Sequence, residues 1–520
     1  MPQIARPAGG LIALALALTL GLAGSGPAGA GPVPDDKVSA GLAALDAMAT
    51  RLVAEGAVPG LAITVVHDDK VVYLKGFGLR MVGRPETVDP DTVFQLASFS
   101  KPITSTVVAA LVGKGFLDWD SRIAELAPDF QLHDPYPSQQ VTVRDLLNHR
   151  SGLPGNAGND LEAIGYARDA ILPRLALLSP ASSFRAGYAY SNAGFTMGAL
   201  AAARPTGKDW ETVAEEMLYR PLGMTSTSSR HSDFLARPNA ASLHVDLGQG
   251  WTAAVKRSAD AEAPAGGVSG SARDLGAWMR LELGQGRFEG EQLIPADALA
   301  ATHEPMFFRG PNPVTGVPEF YGLGWNVEYG RHGLSWGHAG AFSQGARTLV
   351  SLLPDSGLGI VVLANAFPTG VPEGLADSFF DFVFDGALAQ DYLTGWNNAY
   401  LGLFGPAMAA ARAAFAAPPD PASPARPAEA YLGRYANAYI GPVAVTGQGA
   451  DLTLVLGPDG AKRYPLRHFD RDLFLYYPDP EVPDIPSTAS FALGPDGIAT
   501  SLTLSPFEAT GLPTVLRVPD

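Results

Sequence analysis

The chain has 520 residues, 47% of them hydrophobic and only 17% charged, enough apolar material for a large core and two domains and too little charge for a disordered chain. It carries 36 basic and 52 acidic side chains, a net charge of −16, and has no basic stripe interleaved with aromatics, which argues against a nucleic-acid partner. The absence of cysteine excludes disulfides, thiolate catalysis and Cys-ligated zinc, and the nine scattered histidines form no HExxH, so neither a metal nor a cofactor is expected.

Residues 1–30 read as a secretory signal. Arg6 is the only charge, an apolar run follows from Leu11 to Leu22, and Ala28-Gly29-Ala30 supplies small residues for cleavage after Ala30. The mature charge is then 35 − 52 = −17. The same run is readable as a membrane anchor, but it is short for a span and Gly and Pro follow it. A cysteine-free chain has no lipidated N-terminus. The expectation is a periplasmic or secreted protein with no stable membrane anchor after cleavage.

From Gly60, LAITVVHDDKVVYLKGFG reads as two strands joined by the polar turn His67-Asp68-Asp69-Lys70. A helix is expected to begin at about Ser98 to Ser100, with Ile103, Val107, Val108, Leu111 and Val112 on one face. Pro102 fits only in its first turn. Residues 141–280 read as mainly helical, with loops at SGLPGNAGND and around 226–265. SLLPDSGLGIVVLANA is a hairpin turning at Pro354-Asp355-Ser356-Gly357. The expected fold is α+β, an antiparallel sheet assembled from both ends of residues 31–415 with a helical lobe inserted. Residues 416–428, AAPPDPASPARPA, read as a linker. Two LGPDG segments, at 456–460 and 493–497, sit between β-prone runs and read as hairpin turns, so residues 429–520 are expected to form a small all-β domain.

Three short stretches carry candidate chemistry. In FQLASFSKPITS, Lys101 is one of eight lysines and the only one with a serine three residues before it. At a helix start, Ser98 and Lys101 share one face, one turn apart. Arginine holds its proton at any useful pH, whereas a desolvated lysine sheds it, so the pair can be a nucleophile and its base. The alternative is a helix start with a surface cation. In FRAGYAYSNAGF, Tyr190 can relay protons, its phenol acidified by a nearby ammonium, and Asn192 can hold Lys101 and a substrate carbonyl. The alternative is a loop tyrosine with a turn-forming Ser-Asn. In WGHAGAFSQGARTLVSLLP, a Gly-rich strand at His338-Ala339-Gly340 lets a substrate backbone approach and leaves an N–H free for an oxyanion. The alternative is an ordinary strand edge with a surface histidine.

Taken together and in order, Ser98-Phe99-Ser100-Lys101, Tyr190-Ser191-Asn192 and His338-Ala339-Gly340 resemble the three motifs of penicillin-recognising serine hydrolases. VPGLAITVV, VTVRDLLNHRSGLPG, YRPLGMTST, PAGGVSGSARDLGAW and YGLGW extend the resemblance over roughly residues 40–390. The closest group is the class C β-lactamase-related proteins, which include D-Ala-D-Ala carboxypeptidases, D-aminopeptidases and β-lactamase-fold esterases. The C-terminal domain is similar to small β-barrel modules that follow some members. The resemblance implies Ser98 as acylated nucleophile, Lys101 as its base and Tyr190 as activator of the serine and proton donor to the leaving group. It implies Asn192 as the residue that orients Lys101 and the substrate carbonyl. The N–H groups of Ser98 and Ala341 would form the oxyanion hole beside Gly340, and Asn156 would contact the acyl chain.

His338 and Ala339 stand where lactamases carry Lys-Thr-Gly or Lys-Ser-Gly. The charge is then at most partial near neutrality and the hydroxyl is gone, so efficient β-lactamase activity is not expected. Ala186 replaces a common proline before Tyr190. Gly333-Leu334-Ser335-Trp336-Gly337 matches GxSxG, but that motif needs a strand before it and a helix after it, and strand follows here. The function implied is an exported serine hydrolase acting through a Ser98 acyl-enzyme on a small amide, a peptide with a possible D-residue, or an ester. A catalytically inactive binding protein on the same scaffold is the competing reading, and a structural cell-wall protein a third.

Overall fold

The computed structural model describes residues 33–519 apart from Ala254, and the expected signal segment lies outside them. The first helix, α1, spans Asp35–Ala54, and β1 (Gly60–His67) and β2 (Lys70–Gly78) follow as a hairpin. Asp68 and Asp69 both have positive φ, which fits a two-residue turn between twisted strands. A short turn over Ala97–Phe99 leads into α2 (Ser100–Gly113), which keeps Pro102 in its first turn. The lobe that follows contains α3 (Asn192–Ala203) and α4 (Ala272–Leu283). The chain returns to the sheet with β3 (Phe307–Pro311), β4 (Pro318–Tyr321), β5 (Asn326–Gly330), β6 (Gly333–Phe342), β7 (Ala346–Leu353) and β8 (Leu358–Ala364), then forms α5 (Val371–Phe384) and α6 (Tyr392–Ala414).

The eight strands form one antiparallel sheet in the order β2-β1-β8-β7-β6-β5-β4-β3. The N-terminal hairpin is joined to the C-terminal strands by β1 against β8, and the helical lobe is the insertion between them. All eight residues of β1 are buried, because helices cover both faces of the sheet there. Its side chains alternate between two cores. Ala62 and Val66 join the core shared with the helical lobe. Leu61, Ile63 and Val65 join the core under α1 and α5. Close packing is set by small residues: a methyl at Gly41 of α1 would meet a Val383 methyl of α5 at 2.4 Å.

After α6, eight antiparallel strands from Gly433–Asn437 to Thr514–Arg517 close a barrel, sealed by Tyr435 pairing with Arg517. Both LGPDG segments are turns between its strands. The barrel docks on the helical lobe through Tyr439 Oη, which donates to Asp160 Oδ1 at 2.7 Å, and through the Ile440 carbonyl, which accepts from Tyr166 Oη at 3.0 Å. It also reaches the β6–β7 turn, where Glu481 accepts from Ser343 Oγ at 2.8 Å. No helix among the described residues is long and apolar enough to cross a membrane.

Behind the Ala97–Phe99 turn lies an aromatic stack. The Trp278 ring lies 5.5 Å from Phe99 and stacks on Trp325 at 5.6 Å, and its Nε1–H donates to Thr106 Oγ1 at 3.0 Å. Truncating Trp278 leaves a cavity beneath the turn and removes a donor. Trp278→Ala is expected to lower stability by about 3–5 kcal/mol, read as a lower urea midpoint at unchanged slope.

Candidate active site

The Ala97–Phe99 turn projects Ser98 from the helix start. Ala97 adopts φ +50°, an uncommon conformation for a residue with a side chain, and the packing around the turn holds it there. Gly340 of β6 makes this packing possible. A Cβ there would lie 2.1 Å from the Leu96 carbonyl oxygen and 2.9 Å from Phe99 N. Thr348 on β7 donates to the same Leu96 carbonyl at 2.6 Å. This corrects the expectation for Gly340: the backbone that approaches it is the protein's own Ser98 turn, not a substrate.

Lys101 is fully buried in the first turn of α2. Its Nζ lies 3.2 Å from Ser98 Oγ, 2.7 Å from Asn192 Oδ1 and 3.0 Å from the Ala265 carbonyl. The last two partners are acceptors only, so a neutral amine donates both its protons to them. Its lone pair is then left for the Ser98 hydroxyl. Burial brings this amine down to about 7, against the opposing pull of Glu262. Sequence reasoning missed Glu262. It is buried, and burial together with the nearby Glu162 carboxylate raises it to about 8. Glu162 is held by Arg257 at 2.8 Å. Lys101 and Glu262 thus titrate in the same range near neutral pH, and the state of one bears on the other. No spacing in the sequence shows that Glu262 lies behind Lys101.

Ser191 caps α3 by accepting the Gly194 N–H at 3.1 Å, which places Asn192 at the first helical position facing Lys101. Tyr190, just before, is half-buried at the cavity wall and its hydroxyl is hydrogen bonded with Ser98. The expectation of an acidified phenol is corrected: burial raises Tyr190 well above its ordinary value. The Lys101 nitrogen lies 4.4 Å from the centre of the Tyr190 ring, and a lysine that is half neutral at pH 7 gives little electrostatic help to a phenolate. Tyr190 therefore stays protonated. His149 packs 4.5 Å from it and accepts the Ser191 N–H at Nδ1, with burial keeping it neutral. It lies in the quoted stretch VTVRDLLNHRSGLPG, but nothing in that text marks its ring as a wall of the site.

β6 supplies the opposite wall. The Arg331-His332 turn closes β5 and β6 on the Gly330–Gly333 pair, so alternation points the backbone of odd-numbered β6 residues toward β5. Pairing with β5 stops at Gly337. The N–H and C=O groups of Ala339 and Ala341 therefore face a free strand edge. The Ser98 N–H lies at the start of a helical turn, where no preceding carbonyl is placed to accept it. An N–H at Ala341 and one at Ser98 can share one oxygen between them.

His338 is buried and neutral, driven well below its ordinary value by burial and by the neighbouring Lys101. Its Nδ1–H donates to the Ala339 carbonyl at 2.8 Å, and Nε2 accepts from Tyr321 Oη at 3.2 Å. The expected partial charge is absent. The cation that does reach the site is Arg309, which sequence reasoning missed. It donates to Glu319 at 2.5 Å and to Asn326 at 2.7 Å, and lies over the rings of Tyr188 and Tyr321. Ser98, Asn156, Tyr190, His338 and Ala341 border one cavity of about 830 Å³. Asn156 is anchored by its N–H to the Tyr190 carbonyl at 2.7 Å.

Ser335 lies in the middle of a ten-residue strand, not on a strand–turn–helix elbow. The carboxylates of Asp381 and Asp385 and the His332 ring converge closely enough to hold a cation among the described residues, but Arg331 already spans both carboxylates at 3.0 and 2.9 Å.

Fold and site together define a protein of the serine β-lactamase fold. The chain belongs to the Beta-lactamase family, whose profile matches residues 45–379. Residues 417–514 match the family described as Domain of unknown function (DUF3471). The chain is 27% identical over 418 residues to the Unguisins hydrolase ungD' of Aspergillus campestris, covering 74% of this chain and 73% of that protein. It is 27% identical over 343 residues to Penicillin-binding protein 4 of Amycolatopsis lactamdurans, covering 64% of this chain and 86% of that one. The crystal structure of SurE superposes with a TM-score of 0.55 at 25% identity, over 92% of this chain and 100% of SurE. The octameric penicillin-binding protein homologue from Pyrococcus abyssi has the same fold, with a TM-score of 0.55 at 18% identity, over 89% of this chain and 98% of that one.

A neutral Lys101 is the form that can accept a proton. The pseudo-first-order acylation rate is expected to rise with pH through an apparent value near 7. Glu262→Gln removes a carboxyl that favours the ammonium whenever it is ionised, so the apparent value is expected to move to lower pH in a stopped-flow profile. Lysine is also a stability group here. Between about 7 and its ordinary 10.5 the folded amine is neutral while the unfolded one is protonated, so its contribution to stability rises with pH across that window. The stability difference between wild type and Lys101→Met, from urea titrations at pH 7 and 10, is expected to shift toward wild type at the higher pH.

Proposed function

We propose that the protein is an exported serine hydrolase that cleaves small amides or peptides through an acyl-enzyme on Ser98. The observation that carries this reading is the Lys101 amine, desolvated and held by Asn192 and Ala265 with its third position on Ser98. Lys101 takes the hydroxyl proton as Ser98 Oγ attacks the substrate carbonyl. The tetrahedral oxygen is held by the N–H groups of Ser98 and Ala341. Collapse expels the leaving nitrogen, which takes a proton from Tyr190 as Lys101 replenishes the phenol. Water then attacks the ester, with the same groups moving the proton in reverse, and frees Ser98. A phenol that stays protonated supports amide over ester as the bond cleaved, because an amide nitrogen leaves only when protonated. Esters remain the easier substrates of the same site.

The likeness to a hydrolase and to a penicillin-binding protein supports this class of chemistry. A peptide with a D-residue is within that class. Neutral His338 and methyl-bearing Ala339 offer neither the cation nor the hydroxyl for a β-lactam carboxylate, which supports weak or no lactamase activity. Export rests on residues 1–30 and cleavage after Ala30.

Intact mass after mixing the mature protein with an alkyl fluorophosphonate, a p-nitrophenyl acyl ester and benzylpenicillin tests the reading. Wild type is expected to gain one adduct from the fluorophosphonate and to turn over the ester, with Ser98→Ala silent to both and penicillin turned over slowly or not at all. Folded wild type that gains no adduct from any reagent would replace the hydrolase with an inactive binding scaffold. An adduct surviving in Ser98→Ala would move the nucleophile elsewhere.

A further inference from the structure

The cavity that begins at Ser98 does not end there. It passes the free edge of β6 and continues over the face of the sheet that α5 and α6 roof. β6 explains why that space exists. Its even positions apart from Gly340 are Leu334, Trp336, His338 and Phe342, all large, while the odd ones, Gly333, Ser335, Gly337, Ala339 and Ala341, are all small. The odd side chains line the cavity and leave it unfilled. The GxSxG match is one stretch of this floor.

The roof is acidic. Glu373 and Asp377 lie one turn apart on α5, and Glu328 faces them from β5. Each arginine on the wall is already engaged: Arg347 with Glu373, Arg331 with Asp381 and Asp385, Arg309 with Glu319. Lysine is absent from the lining. Asp377 accepts from the Trp396 Nε1–H at 2.7 Å, and Glu328 accepts from the Asn312 amide at 3.1 Å and lies against the Glu319 carboxyl. Glu373 Oε2 is buried and has no hydrogen-bond partner, although its Oε1 accepts from Tyr400 Oη at 2.9 Å. Burial, with the neighbouring carboxylates, raises Asp377 to about 7 and Glu328 to about 8, so both carboxyls take on their charge above neutral pH or beside a bound cation.

From this geometry we infer that the compartment behind β6 binds the ammonium-bearing arm of the substrate, resting its methylenes on the small floor of β6 and its cation among Glu328, Glu373 and Asp377. The inference rests on the proposed hydrolase reading, since the arm enters past Ala339 and Ala341, beside the oxyanion site. A bare metal ion does not fit. Among the described residues only His332, Asp381 and Asp385 bring ligand atoms within 4.8 Å of one another, so Glu328, Glu373 and Asp377 stand too far apart to ligate one ion. Trp396 and Phe380 line the same space and favour an organic cation with an apolar arm. The volume of about 830 Å³ suits a small peptide side chain together with the reacting group.

The test compares p-nitrophenyl 6-aminohexanoate with p-nitrophenyl hexanoate at pH 8.5, alongside calorimetry with hexylamine and 1-hexanol. Wild type is expected to favour the ammonium ester in kcat/KM by at least tenfold and to bind hexylamine but not hexanol. Asp377→Asn and, separately, Glu328→Gln are expected to cut the ratio of the two kcat/KM values at least tenfold and to weaken hexylamine binding. A wild-type ratio near one, or a ratio unmoved by both substitutions, overturns the assignment to substrate. If no ester is turned over, the hydrolase reading fails by itself. Hexylamine binding lost in both variants would then retain the cation site, and its absence would remove it.

Discussion

The active site depends on taking one amine out of water. Lys101 carries a large cost of burial, and the elements around it are arranged so that it is desolvated without being orphaned. Ser98 comes from three residues away, Asn192 from 91 and Ala265 from 164. The helical lobe, the Ser98 turn and α2 must all be in place before that nitrogen has its partners. A buried ammonium without them would be strongly unfavourable, and a buried neutral amine with them is a base at neutral pH. Glu262 tempers this. It pulls the lysine back toward its charged form, so the operating value lies near neutrality instead of far below it.

β6 carries two functions on one strand because side chains and backbone groups both alternate along it. The even positions face the helical lobe, where Gly340 admits the Ser98 turn and His338 packs on Tyr321. The odd positions send their N–H and C=O groups to the edge that β5 abandons after Gly337, and their side chains to the face under α5 and α6. Ala341 therefore belongs to both places: its N–H lies on the free edge of β6, at the proposed oxyanion position, and its methyl borders the cavity that continues to the rear compartment. One residue of slippage would exchange the two sets and destroy both. The β6–β7 turn that fixes this register is itself held from outside, since Glu481 of the barrel accepts from Ser343. The barrel thus steadies the turn that follows the oxyanion strand, in addition to its dock on Asp160 and Tyr166.

Much of this was legible in the sequence because it depends on local pattern. The strand pairs around 60–78 and 346–364 announce themselves by apolar runs broken at turn residues, and Ser98 and Lys101 by their spacing at a helix start. Asn192 was read as a partner of Lys101, and the structure places its Oδ1 on that amine; the Ser191 cap that sets it there was not read. What escaped were contacts between segments far apart in the chain. Glu262 reaches Lys101, His149 reaches Tyr190, and Arg309 reaches the cleft only through tertiary packing. Tyr190 was misjudged for the same reason: its own desolvation, set by tertiary packing, raises the phenol, and burial also lowers the Lys101 amine beside it. Gly340 was read as room for a ligand when the space belongs to Leu96 and Phe99.

The cleft's charge has moved rather than vanished. A lysine at the His338 position would place a cation directly on the β6 edge, where it would meet the carboxylate of a β-lactam. Here that position is neutral, and its imidazole is tied at both nitrogens. The cation nearest the cleft is Arg309, on the β3 side, and Glu319 already neutralises it. Beyond β6 the groups facing the cavity are acidic, with Asp377 and Glu328 accepting from neutral donors. A substrate with a carboxylate beside the scissile bond gains little from this field, and one with a distant positive charge gains more. The substitution in the third motif and the acidic compartment behind it therefore act in the same direction, turning a site built to hold an anion into one biased toward cations.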